Sequence, residues 1–89
     1  MNTLTLTHPL VLGKTTINEL KFRDYATAED MLAFDQRGPN QQTINLIASL
    51  TGTDETLVKK LHVADYRAAD AIASRLIRTE DDEKNVPES

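Results

Sequence analysis

The stretch LTLTHPLVLGKTTINELKF, residues 4–22, decides the fold because hydrophobic and polar residues alternate on both sides of a central glycine. Alternation with a period of two is typical of strands that bury one face. Gly13 and Lys14 form a natural two-residue turn, since glycine tolerates the positive φ that the first position of a type II′ turn requires. We therefore predict an antiparallel β-hairpin over residues 3–24.

With a two-residue turn, the hydrophobic residues of the two strands cannot lie on the same face along the whole hairpin. The two-residue turn places Leu10 opposite Ile17 on one face, but the same count places Leu20 opposite a threonine. Because a slip of one residue sends every later side chain to the other face, an extra residue must restore the match. We predict a β-bulge either near residues 18–19 or at Pro9, which has no amide hydrogen to donate to a strand partner.

The hydrophobic spacing becomes helical directly after the hairpin. Thr27 followed by Asp30 approximates a capping box, and Gly38 with Pro39 marks the end of one helix and the start of another. The sequence thus predicts an α+β fold: an N-terminal antiparallel β-hairpin packed on a cluster of three to four α-helices, followed by a disordered acidic tail. The predicted helices span about residues 27–37, 39–51, 54–61 and 63–78 of a single domain at 1–78, and the predicted tail spans 79–89.

Composition excludes several classes of protein. The 89 residues include no cysteine, which rules out disulfides and thiolate metal sites. No apolar run approaches the roughly 18 to 20 residues that cross a bilayer, and the first residues lack the basic flank of a signal peptide, so we expect no membrane association. The net charge of −4 disfavours nucleic acid as a partner, because a grip on phosphates requires a basic face.

The sequence shows no catalytic constellation. The letters GKT at residues 13–15 match the end of a phosphate-binding loop, but the glycine required five residues earlier is replaced by His8. His8 and His62, the two histidines, lack a metal-ligand spacing. We therefore predict no catalytic residue, no cofactor and no metal site, and we expect that the protein is not an enzyme.

A helix-turn-helix remains an alternative reading of ASLTGTDETLVKKL, residues 48–61. This stretch places a small residue, a turn glycine and two buried anchors at the offsets of that motif. However, Asp54 and Glu55 would lead the second helix into the major groove, where acids repel phosphates. We favour two helices packed on the sheet and keep a small DNA-binding regulator as the alternative.

The order of these segments resembles a known family. The hairpin of residues 4–24, TAEDM opening a helix, LIASLTG, and then L-x-x-A-D-Y resemble the tail assembly chaperones of Mu-like and related contractile-tailed phages and prophages. The resemblance covers about residues 3–78. Its matching positions in the second half are Leu50, Gly52, Leu61, Asp65 and Tyr66.

This resemblance implies a role and its partners. Members of the family are non-enzymatic assembly factors that bind the phage tape measure protein and keep it soluble while tail tube subunits polymerise around it. In such families, a ribosomal frameshift often adds a second domain that is thought to recruit tail tube protein. The resemblance also implies that the protein acts in the cytoplasm of the bacterial host and is absent from the mature virion. The sequence predicts no oligomeric state.

We expect the partner-binding surface to be apolar. A small domain cannot bury every large apolar side chain, and exposed apolar patches usually mark partner sites. The candidate residues lie in the first and third predicted helices, and they are Met31, Phe34, Leu57, Val58 and Leu61. The alternative is that these residues complete the core.

The charge pattern predicts that the protein does not bind DNA sequence-specifically at physiological salt, because its would-be recognition helix leads with acids. An electrophoretic mobility shift assay with sub-micromolar protein checks this expectation. A shift that depends on the DNA sequence would favour the helix-turn-helix alternative.

Overall fold

The chain forms a β-hairpin followed by helical segments, which confirms the predicted α+β class. The structure, a computed structural model, describes the backbone of residues 2–84 and the side chains of residues 2–77. In chain order, its elements are β1 (Asn2–Leu12), β2 (Thr15–Phe22), a 3-10 helix (Asp30–Asp35), α1 (Pro39–Thr51), α2 (Glu55–Val58) and α3 (Val63–Lys84).

The hairpin turn has the predicted geometry. Leu12 pairs with Thr15, so Gly13 and Lys14 are the two turn residues. Gly13 has a φ of 58°, whereas Lys14 does not have a positive φ. A positive φ at the first turn residue alone is the type II′ pattern, which matches the twist of the flanking strands.

The predicted bulge is present in β1, at the position that includes Pro9. Thr5 pairs with Glu19 and Leu10 pairs with Ile17, so the four residues 6–9 of β1 face only Asn18 of β2. The irregularity is therefore larger than the single extra residue that we predicted. Because the excess is an odd number of residues, it still returns Leu20 to the buried face, as predicted.

Asp65, in the first turn of α3, holds the bulge in place. Its Oδ1 atom accepts hydrogen bonds from the Thr7 amide and the Thr7 hydroxyl, both at 2.9 Å, and its Oδ2 atom accepts one from the His8 amide at 3.0 Å. Both amides lie in the part of β1 that has no strand partner, so the carboxylate replaces the missing ladder acceptors. This contact explains why the bulge can be longer than one residue.

The Asp65 carboxylate is ionised despite being buried. Burial alone would raise the pKa of Asp65, but hydrogen bonds from the Thr7 amide, the His8 amide and the Thr7 hydroxyl outweigh burial and lower the pKa below its ordinary value of 3.8. The charged carboxylate therefore ties β1 to α3.

The core is aliphatic and lies between the hairpin and the helices. Its side chains come from every element and include Leu6, Leu10, Leu20, Phe22, Ala33, Leu46, Ile47, Leu50, Val58, Leu61, Ala69, Ala73 and Leu76. Ala69 and Ala73 are fully buried, and their small side chains allow α3 to approach its neighbours closely. The Arg23 amide donates to the Leu50 carbonyl at 3.1 Å, which fastens the end of the hairpin to α1.

The first predicted helix, at about 27–37, is shorter and tighter than expected. It is a 3-10 helix over Asp30–Asp35. Gly38 has a φ of 85° and Pro39 is the first residue of α1, so the chain turns sharply between the two helices. Before this turn, the amides of Asp30, Met31 and Leu32 bond to carbonyls three residues back and not four, so the segment winds as a 3-10 helix.

The later helices also differ from the prediction at their ends. The helix predicted at 54–61 is limited to α2, Glu55–Val58, because the amides of Lys60 and Leu61 bond to carbonyls three residues back and not four. In contrast, α3 continues to Lys84, past the predicted end at residue 78, since an established helix extends at little further cost. Residues 85–89 of the predicted tail lie outside the described residues.

The substitution Asp65→Ala should destabilise the protein by about 2 kcal/mol or more, because it leaves two backbone amides without acceptors in a partly buried site. For a domain of this size, such a loss lowers Tm by about 10 °C. Thermal unfolding followed by circular dichroism measures the change. The control Asp35→Ala removes an exposed carboxylate and should leave Tm nearly unchanged; equal effects of the two variants would contradict the role of Asp65.

Candidate partner-binding surfaces

The 3-10 helix presents an apolar surface to solvent. With three residues per turn, Asp30 and Ala33 lie in one row that faces inward, and both are buried. Met31 and Phe34 lie in the adjacent row and are 43% and 42% exposed, and Leu32 is 60% exposed. We call Met31, Leu32 and Phe34 the 3-10 patch.

Asp30 anchors the 3-10 patch to the rest of the fold. Arg23, at the end of the hairpin, donates to Asp30 Oδ1 at 2.5 Å, and the Ser49 hydroxyl of α1 donates to the same oxygen. The other oxygen, Oδ2, accepts from the Thr27 amide at 2.6 Å and from the Thr27 hydroxyl at 3.2 Å. Half of the predicted capping box is thereby formed, since the Asp30 side chain reaches back to the Thr27 amide. One carboxylate fixes the 3-10 helix against both the hairpin and α1.

The Asp30 carboxylate carries its charge in a fully buried position. Burial would raise the pKa of Asp30, but hydrogen bonds from Ser49, from the Thr27 amide and from Arg23 outweigh it and lower the pKa below 3.8. Arg23 also donates to the Ser49 carbonyl at 3.1 Å and lies 5.4 Å from the centre of the Tyr25 ring. The guanidinium is thus held in place while it neutralises the buried charge.

The structure separates the five candidate residues that the sequence suggested. Met31 and Phe34 are exposed, Leu57 is half-buried, and Val58 and Leu61 are buried in the core with 2% and 9% exposure. For Val58 and Leu61, the alternative that they complete the core is therefore the one that the structure supports. Their inward faces leave little area for a partner.

Three of the candidate side chains line grooves, and the grooves are different ones. Phe34 borders a groove of 340 Å³ that also contacts Leu46 of α1 and Ile77 of α3. Val58 and Leu61 form the floor of a separate groove of 440 Å³ between α1 and the start of α3. We call the second one the α2–α3 groove. The 3-10 patch and the α2–α3 groove are therefore distinct surfaces.

Sequence reasoning did not select Leu32 and Val63, which are exposed apolar residues of the two candidate surfaces. Leu32 falls between the two residues that an α-helical period selects, and it is exposed because only the row of Asp30 and Ala33 faces inward. Val63 is 56% exposed because it is the first residue of α3, where the helix has not yet reached the core.

The two histidines meet although they are far apart in sequence. The rings of His8 and His62 stack with their centres 3.9 Å apart and an angle of 11° between their planes. His62 Nδ1 accepts a hydrogen bond from the Ala64 amide at 3.1 Å, so this ring caps the start of α3. Among the residues whose side chains are described, no group of three or more histidine, cysteine, aspartate or glutamate residues is arranged to hold a metal ion.

The helix-turn-helix alternative fits the structure poorly. Helix α2, which would have to enter a major groove, has only four residues, with Asp54 capping its start by accepting from the Thr56 amide at 2.8 Å. A recognition helix needs several turns to reach base edges. Within residues 2–84, none of the helices combines the length and the apolar character that are needed to cross a bilayer.

The stability of the protein should fall as the pH drops below 3.8. The folded-state pKa of Asp30 lies below its ordinary value, so its contribution is fully present above pH 3.8 and is lost as the pH falls through the lowered pKa. The variant Ser49→Ala removes one of the bonds that favour the charged carboxylate. Urea unfolding from pH 7 to pH 2 should show a difference between wild type and Ser49→Ala that shrinks on acidification; a constant difference would contradict an ionised Asp30.

A known protein family matches most of the chain. The chain matches no curated protein and no solved structure. One family does match, described as "phage tail assembly chaperone proteins, E, or 41 or 14", and the match covers residues 3–78. These residues include the hairpin, the 3-10 patch, α1, α2 and most of α3. The chain therefore belongs to the family of phage tail assembly chaperones.

Proposed function

We propose that this protein binds the tape measure protein of its phage, keeps it soluble and promotes assembly of the tail tube around it, without catalysing a reaction. The observation that carries the proposal is the family match over residues 3–78. The exposed apolar surface of the 3-10 patch supports it, since a chaperone of this kind needs a surface on which apolar client segments can lie.

The 3-10 patch has the chemistry of a surface that accepts varied client segments. Met31 is flexible and polarizable, so it adapts to differently shaped partners. Phe34 adds a large rigid contact area next to it. The backbone beneath both side chains is fixed by Asp30, which limits the entropy lost on binding. Leu57 is half-buried and packs against the core, so we assign the contact to the 3-10 patch.

The remaining parts of the proposal follow from the family. The protein acts in the cytoplasm of the bacterial host and is absent from the finished virion. A longer form, produced by a frameshift, brings in the tail tube protein. The family's role as an assembly factor supports the location in the host, the absence from the virion and the longer form. It also supports the proposal that the protein catalyses no reaction.

Co-expression with a tape measure fragment tests the proposal. Wild type should keep the fragment in the soluble fraction, and the double variant Met31→Gln/Phe34→Gln should reduce the soluble fragment at least about fivefold. Because both side chains are more than 40% exposed, the variant should keep its circular dichroism spectrum and lose less than about 1 kcal/mol of stability.

The matched control is Val11→Gln, which removes an apolar side chain that is 70% exposed beside the hairpin turn. This variant should solubilise the fragment as well as wild type does. If the control and the double variant are equally impaired, the 3-10 patch is the wrong surface. If wild type itself leaves the fragment insoluble and unbound, the proposed function is wrong.

A further inference from the structure

The α2–α3 groove has a buried apolar floor and apolar sides that solvent can reach. Val58 and Leu61 form the floor, and Ile44 of α1 and Val63 of α3 line its sides. Val63 is 56% exposed at the edge of the groove, and Ile44 is half-buried. The volume of 440 Å³ is large enough for several side chains of a partner, since whole ligand pockets span roughly 300 to 1,000 Å³.

The charges around this groove differ from those of the chain as a whole. The protein carries a net charge of −4. In the described part of the chain, however, the charged residues that line the groove are both cations, Lys59 and Arg67. The Nζ atom of Lys59 lies 3.8 Å from the Oε2 atom of Glu55, which is four residues earlier in the chain. Arg67 has no ion-pair partner among the residues whose side chains are described. The groove that Phe34 borders is lined by one acid, Asp70, and a further groove beside the 3-10 helix is lined by Glu29 and Glu55.

We propose that the α2–α3 groove docks an acidic, amphipathic helical segment of the client protein, with its apolar side chains against Ile44 and Val63 and its carboxylates on Arg67 and Lys59. An apolar groove between helices is a common site for an amphipathic helix, and cations at its rim select acidic partners. This inference rests on the proposed function, because it assigns the segment to the same client. It adds a second contact surface, separate from the 3-10 patch.

The acidic run at residues 80–83 lies away from the α2–α3 groove of its own chain. The acidic run at residues 80–83 belongs to α3, the same helix that supplies Arg67. At 1.5 Å per residue, it lies roughly 20 Å along the helix from Arg67. This run of the same chain therefore does not occupy the groove, and the acidic run of a second copy becomes one outcome of the test.

Binding of a defined peptide tests the chemistry of the groove. The probe is a fluorescein-labelled peptide of about 15 residues, with leucines at helical spacing i, i+3, i+4 and i+7 and glutamates elsewhere, followed by fluorescence anisotropy. Arg67→Glu should weaken binding at least about tenfold, whereas Lys14→Glu, the same charge change in the hairpin turn, should change it less than about twofold. A counterpart peptide with glutamine in place of glutamate should also bind at least about tenfold more weakly.

Nuclear magnetic resonance locates the peptide on the protein. In amide spectra of the ¹⁵N-labelled wild-type chain, the peptide should shift the signals of Ile44, Val63 and Arg67 more than those of Met31 and Phe34. No binding, equal loss in Arg67→Glu and Lys14→Glu, or shifts centred on the 3-10 patch would each overturn the proposal. A second copy in the groove would also overturn the proposal. Sedimentation without peptide would then show a dimer that Arg67→Glu dissociates.

Co-expression separates this inference from the proposed function. If Arg67→Glu binds the peptide poorly and also solubilises less tape measure fragment than Lys14→Glu, both proposals gain support. If Arg67→Glu solubilises the fragment as well as Lys14→Glu does, the client does not use the groove and the inference is wrong, while the proposed function stands.

Discussion

The tie between Asp65 and the bulge of β1 is the contact on which the rest of the structure depends. Without it, the amides of Thr7 and His8 would lie in an irregular strand with neither a ladder partner nor another acceptor. With it, β1 can hold the excess residues that put the leucines of both strands on one face. The same contact fixes the start of α3 against the hairpin and closes the core from that side.

A second buried carboxylate, Asp30, does similar work on the other side of the hairpin. It gathers Arg23, Thr27 and Ser49 around one charge and so fastens the short 3-10 helix to the hairpin and to α1. The two aspartates show how a small aliphatic core can be supplemented. Each joins segments that are distant in sequence, and each leaves nearby apolar side chains outside the core, where a partner can reach them.

Much of the fold could be predicted because its signals are local. The alternation of residues 4–22, the turn at Gly13 and the break before Pro39 each act through their own backbone preferences, and each appears in the structure. The size of the bulge could not be predicted, because it depends on acceptors from Asp65. The alternation shows that a correction is needed, but it does not show how many residues the correction takes.

The candidate surface was only partly predictable for a similar reason. An amphipathic pattern over residues 54–61 is the same whether its apolar side faces the core or a partner, and packing within the core decides that Val58 and Leu61 face inward. Leu32 was not selected because the helical spacing in the sequence picked out Met31 and Phe34 alone. The family, in contrast, was predictable from the order of hydrophobic and turn patterns over residues 3–78.

The distance in sequence between Thr7 and Asp65 also sets an order of events during synthesis. These residues are 58 positions apart, so the ribosome must make most of the chain before the amides of the bulge find their acceptor. The hairpin turn and its nearby strand pairs are local and can form early, whereas closing a long loop requires the later segment and carries a higher entropic cost. The ribosome makes β1 first, but the bulge of β1 is completed only after the part of α3 that holds Asp65 has left the ribosome.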